Sequence, residues 1–124
     1  MRRTGFTFIE ILIVMIIIGI LATLGWLRIQ DQKEKGYIAA MTSDLRAMAE
    51  EQEAYYFQHQ AYSATIDSLN PRPTPGDSLK LIEGTASGWS GSVSNGRTSR
   101  QCYIFVGTAA PVGTATNEGV ISCS

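Results

Sequence analysis

The sequence predicts an α+β chain in which a long N-terminal helix, hydrophobic in its first half and amphipathic in its second, packs on a small C-terminal antiparallel sheet. Three observations predict it. A 22-residue apolar run, Phe6 to Leu27, contains a single charge, Glu10. Behind it, apolar residues recur every three or four positions. After about residue 60 the composition turns to Ser, Thr and Gly, with turn signals separating short strand-like runs. The same tally excludes several functions. Ten Lys and Arg against eleven Asp and Glu give a net charge of −1, which is no cationic footprint for nucleic acid. One histidine and two cysteines exclude a multi-ligand His/Cys metal centre, so no metal and no cofactor are expected. There is no Ser/His/Asp or Cys/His arrangement and no phosphate-binding glycine loop, so no catalytic residue and no enzyme activity are expected.

The apolar run comes first. As a helix it would be about 33 Å long, near the thickness of a bilayer's hydrocarbon core. Its β-branched residues would suit a strand, yet only a helix satisfies every backbone group inside so long a segment. Arg2 and Arg3 precede it, which keeps the N-terminus cytoplasmic and sends the chain beyond Leu27 across the inner membrane. A cleaved secretory signal, a plain signal anchor and a buried core helix are the competing readings. The run is long for a signal's apolar region and lacks an A-x-A-type site; a chain this small offers little core to surround it.

Glu10 separates these readings. A carboxylate within a spanning segment costs about 2.5–3.5 kcal/mol near the centre, and a plain anchor gains nothing from it. Cleavage between Gly5 and Phe6 would create an α-amine four residues before Glu10. Such an amine is largely protonated near neutral pH. In an apolar assembly it could neutralise the carboxylate of a neighbouring copy, and breaking a buried pair of that kind costs about 3–5 kcal/mol. Glu10 would then set register.

The string Arg3-Thr4-Gly5-Phe6-Thr7-Phe8-Ile9-Glu10, running directly into the apolar segment, closely resembles the class III signal of type IV pilins and type II pseudopilins. The resemblance implies the pilin fold and four segments: a leader at 1–5, a membrane and assembly helix at 6–27, an amphipathic half-helix at 28–60 and an extracytoplasmic sheet region at 61–124. It implies a prepilin peptidase that cuts after Gly5 and N-methylates Phe6. A residue without a side chain suits a scissile backbone. Glu10, Phe6, Gly19, Ala22 and Thr23 are the expected assembly residues, the small ones allowing close helix contact. Many members carry a proline at the position of Leu27.

In the second half, Ile38, Met41, Leu45, Met48, Gln52 and Tyr55 form a stripe expected to bury against the sheet. With no proline before Pro71, one helix is expected from about Phe6 to about Gln60, near 80 Å at the standard rise. Tyr55, Tyr56, Phe57, His59 and Tyr62 are expected to close over the sheet, and Glu50, Glu51 and Glu53 to form a solvated face.

The loop Asn70–Gly76 alternates prolines, which stiffen an extended backbone. Strands are expected at Ser78–Glu83, Gly88–Ser94, Gln101–Val106 and Glu118–Cys123, with turns at Gly84, Asn95-Gly96 and Pro111/Gly113. Cys102 and Cys123 would both lie where disulfides persist. A bridge would stabilise by about 3 kcal/mol through loop entropy; two free thiols are the alternative. Type IV pilins commonly carry such a C-terminal disulfide around a loop used in subunit contacts.

The resemblance therefore implies a structural subunit of a type IV pilus, stored in the inner membrane, processed, and polymerised with its own copies by pilus assembly machinery into a surface filament for adhesion, motility or DNA uptake. A pseudopilin of a type II secretion system and a minor tip pilin acting as adhesin or receptor are the alternatives, and an anchored outer domain without a polymer is another. Major pseudopilins usually have a carboxylate-rich calcium loop near the C-terminus. This tail offers only Glu118 and the cysteine pair, and that points to the pilus.

Overall fold

The computed structural model describes residues 5–124; the basic pair Arg2 and Arg3 and the side chain of Leu27 lie outside the described residues. One helix, α1 (Phe8–His59, 52 residues), is followed by a 3-10 turn, Ile66–Leu69, and four strands: β1 (Asp77–Gly84), β2 (Gly88–Asn95), β3 (Gln101–Gly107) and β4 (Ser122–Cys123). The chain divides into two units, the first ending at Glu34 and the second running Lys35–Ser124.

Among the described residues of the first unit none is buried. By length and composition its apolar window could cross a membrane. Ile16 and Ile18 are 55% and 60% exposed, so helical structure here rests on the backbone's own hydrogen bonds and not on packing.

The second unit is built on the stripe. Met41, Leu45, Met48 and Gln52 are at most 1% exposed, with Ile38 and Tyr55 partly covered at its ends. They meet Leu69, Trp89, Val93, Cys102 and Ile104. Each large apolar side chain so buried is worth about 1.5–3 kcal/mol. The helix lies close on the sheet: a Cβ at Gly91 would collide with the Met48 Cε, so glycine in mid-strand is what lets the methionine seat.

The sheet is antiparallel throughout, in the order β1-β2-β3-β4. Asp77 lies opposite Asn95, Gly88 opposite Gly107, and Cys102 opposite Cys123. The expected α+β layout with its long helix and small antiparallel sheet is what the structure has. The first three strands fall within a residue or two of expectation. The fourth does not: of Glu118–Cys123 only the last two residues pair, because Asn117 to Val120 turn back on themselves, with Gly119 at φ 71° and its amide donating to the Phe105 carbonyl.

The proline loop ends in a tight turn. The Asp77 amide donates to the Thr74 carbonyl at 2.9 Å, and Gly76 has φ 98°. Pro then Gly at the centre of a turn is the type II pattern. The aromatic cluster is only partly as expected. Tyr55 and Tyr62 pack against the core, but Phe57 is 83% exposed and His59 is exposed as well. Phe57 follows Tyr55 by about 200° around the helix at roughly 3.6 residues per turn, which carries it to the outer side.

Candidate functional site

The segment from Gly5 to Thr23 is the candidate site. Gly5, Phe6 and Thr7 precede the helix in extended or irregular backbone. A Cβ at Gly5 would meet nothing, and Phe6 is 80% exposed. The proposed scissile bond between them is therefore open in the single chain.

α1 starts at Phe8 and not at Phe6, and the reason is local. Thr7 stands at the N-cap, its carbonyl accepting from the amides of Glu10 at 3.1 Å and Ile11 at 3.4 Å. The Glu10 carboxylate reaches back to accept the Thr7 amide at 3.4 Å. Thr-x-x-Glu at a helix start is the capping-box pattern, here with the Glu half of the box made. The signal lies in the spacing of Thr7-Phe8-Ile9-Glu10, and the charge of Glu10 by itself does not reveal it. Glu10 thus has an intramolecular role, satisfying one of the helix's unpaired amides and placing negative charge at the positive end of the helix dipole. It remains exposed, with acceptor capacity free for a second donor.

Gly19, Ala22 and Thr23 follow at spacings of three and four, which places them together on one side of the helix. All three are exposed, and the Gly19 position is open to close approach. The Thr23 hydroxyl donates to the Ile20 carbonyl at 2.8 Å. At the other end of the chain Cys102 and Cys123 are bonded, with Cα atoms 4.0 Å apart. The bond ties the two-residue β4 to β3 and bounds the loop 103–122. Within that loop Glu118 accepts the Gly107 amide at 2.7 Å. Among the described residues no group of three or more His, Cys, Asp or Glu could hold a metal ion.

Several organising hydrogen bonds carry no signal in the sequence. Gln52, fully buried, donates to the Ser63 carbonyl at 3.1 Å and accepts the Ser63 amide at 2.8 Å, so one side chain pairs both backbone groups of the segment leaving the helix. Of the three glutamates expected on a solvated face, Glu53 also accepts from the Tyr62 hydroxyl at 3.0 Å. Burial and this bond raise the Tyr62 pKa.

Comparison with known proteins bears on the open segment. The family model described as the prokaryotic N-terminal methylation motif matches residues 1–26. The N-terminal segment carries a prokaryotic N-terminal methylation motif. The likeness to pilins and pseudopilins is thereby borne out. The curated relatives are of one kind. The chain is 30% identical over 76 residues to the type II secretion system core protein G of Pseudomonas aeruginosa, covering 59% of this chain and 54% of the relative. It is 33% identical to the protein of that name from Aeromonas hydrophila, covering 59% and 53%. It is also 33% identical to the one from Escherichia coli, covering 59% and 52%. The matched part thus spans about half the length of these relatives. They favour the pseudopilin reading over the pilus, against the direction in which the tail points.

Proposed function

We propose that the chain is a structural, non-enzymatic filament subunit of the pseudopilin kind, cut after Gly5, N-methylated at Phe6, and polymerised with its own copies in a type II secretion-type assembly. The observation that carries this is the methylation motif joined to a helix whose apolar residues are bare in the single chain, beside a second unit whose core is complete without them. A polymer supplies the missing cover: apolar burial drives helices together, and heterologous contacts that do not close give a filament. In it the carboxylate of Glu10 can take the freed amine of Phe6 from an adjacent copy, while Gly19, Ala22 and Thr23 admit the neighbouring backbone. Before assembly the same helix rests in the inner membrane, the second unit outside the cytoplasm.

The names of the relatives support this reading over the surface pilus. The poverty of the tail in carboxylates, which points the other way, is met by a different fastening: the Cys102–Cys123 bond holds the C-terminal loop to the sheet. A surface pilus remains the second reading, supported by that same disulfide-bounded loop. Mass spectrometry of the purified protein tests processing, with N-methyl-Phe6 as the expected terminus and Met1 as the result that overturns it. Electron microscopy with peptide identification then separates the two: short envelope-associated rods for the pseudopilus, long shearable fibres for the pilus.

A further inference from the structure

Two carboxylates are buried in the second unit, both tied to Thr74 of the proline loop and far in sequence from the N-terminal segment. Asp44, on α1, is 7% exposed; Asp77, at the start of β1, is 8% exposed. Asp44 is held by one residue of the proline loop: Oδ2 accepts the Thr74 amide at 2.7 Å and Oδ1 the Thr74 hydroxyl at 3.0 Å. Asp77 Oδ1 accepts from Asn95 Nδ2. The orientation of that amide is fixed, because Asn95 Oδ1 accepts the Arg97 amide at 2.8 Å. Asp77 Oδ2 is buried and has no donor. Thr74 joins the two residues, since its amide and hydroxyl go to Asp44 and its carbonyl takes the Asp77 amide at 2.9 Å; the charge this brings to bear on Asp77 is that of Asp44, which as a carboxylate can only accept.

We propose that Asp44 and Asp77 share one proton in the folded protein, donated from Asp77 Oδ2 to Asp44, and that this proton fastens the proline loop and the start of β1 to α1. A buried oxygen without a donor is costly, and two ionised carboxylates side by side out of water cost more. One proton removes both difficulties. Both Asp44 oxygens already accept a bond from Thr74, whereas Asp77 Oδ2 accepts none, so Asp77 Oδ2 is the place for the proton. Burial foremost, and then Asp44, raise the Asp77 pKa, while the Asn95 bond opposes.

The surroundings hold few charges. Glu51 and Arg72 line the hollow of about 330 Å³ beside Asp44, and Asp67 lines the neighbouring hollow with Asp77; the charge acting on Asp77 is that of Asp44. Because the folded pKa lies above the unfolded one, the pair's contribution is fully present below the ordinary Asp value. It is lost as the pH rises through the folded value. The loop is thus fastened at low pH and loosened as the pH rises through the folded value.

Thermal melts of the full chain in detergent micelles from pH 4 to 9 test this. The unaltered protein should lose melting temperature as Asp77 ionises. Asp77→Asn keeps the acceptor for Asn95 and offers Asp44 a permanent donor; it should melt about 5 °C higher at pH 8 and lack that part of the pH dependence. Carbon-13 NMR of the Asp77 carboxyl gives a reading independent of folding: a midpoint above the usual Asp range is expected. An ordinary midpoint overturns the proposal. So does an Asp77→Asn protein that melts lower than its parent across the whole range with the pH profile unchanged. Melting that rises with added calcium and falls with chelator would assign the pair to a cation instead, and would overturn it too.

Discussion

Between Phe8 and Ile29 the helix α1 carries its isoleucines about half or more bare, whereas between Met41 and Gln52 the stripe side chains of the same helix are withdrawn from solvent almost completely. The backbone is alike in both stretches; the partner differs. In the later stretch the chain supplies its own cover in Trp89, Val93 and Ile104. In the earlier one, among the described residues, it supplies none, and under the proposed function lipid or other copies supply it. If the first unit is the assembly surface, as proposed above, stability of the second unit and assembly through the first are separable properties, which substitutions can move one at a time.

The largest expected effect is at Glu10. Glu10→Leu should leave the melting of the second unit unchanged while filament yield falls roughly a hundredfold or more, on the order of 3–5 kcal/mol for an unpaired partner in an apolar contact; pelleting of assembled material against total protein measures it, and normal yield breaks the contrast. Next is Leu45→Ala, expected to cost the second unit about 2–5 kcal/mol in denaturant melts. Ile16→Ala should cost that unit nothing and act on assembly alone. Replacing Cys102 and Cys123 together by Ser should remove about 3 kcal/mol, since the bond spans 21 residues and chiefly restrains the unfolded chain. The smallest effect among the core changes is at Trp89, fully buried with its Nε1 lacking a partner. Trp89→Phe loses contact area but also removes an unpaired donor worth about 1–3 kcal/mol, and should change stability by less than about 1 kcal/mol.

How much the residues alone reveal depends on the physics of each region. The stripe at Met41, Leu45 and Met48 is legible because burial on a helix imposes a period, and the strands β1 to β3 because their turns use Gly and Asn-Gly. The shortness of β4 is not, since Val120 and Ile121 read as a strand until the Gly119 turn is known. Gln52 looks like one polar member of an apolar stripe; only the path of the chain past Ser63 gives its amide two partners. Asp44 and Asp77 are 33 positions apart and nothing local pairs them. Glu10 stands out by its charge in an apolar run, but its bond to Thr7 comes from spacing. The leaning toward a pilus comes from the lack of a carboxylate-rich loop in the tail, and the relatives similar to this chain carry a pseudopilin's name instead.

The Thr23 hydroxyl, turned onto the Ile20 carbonyl of its own helix turn, has a bearing on transfer between surroundings. A side chain whose polar need is met within its own turn asks nothing of its neighbours, so it can leave acyl chains and enter a bundle of sister helices without exchanging a single bond. Under the proposed function, the rod then presents at this turn the same exterior to lipid and to its sister helices.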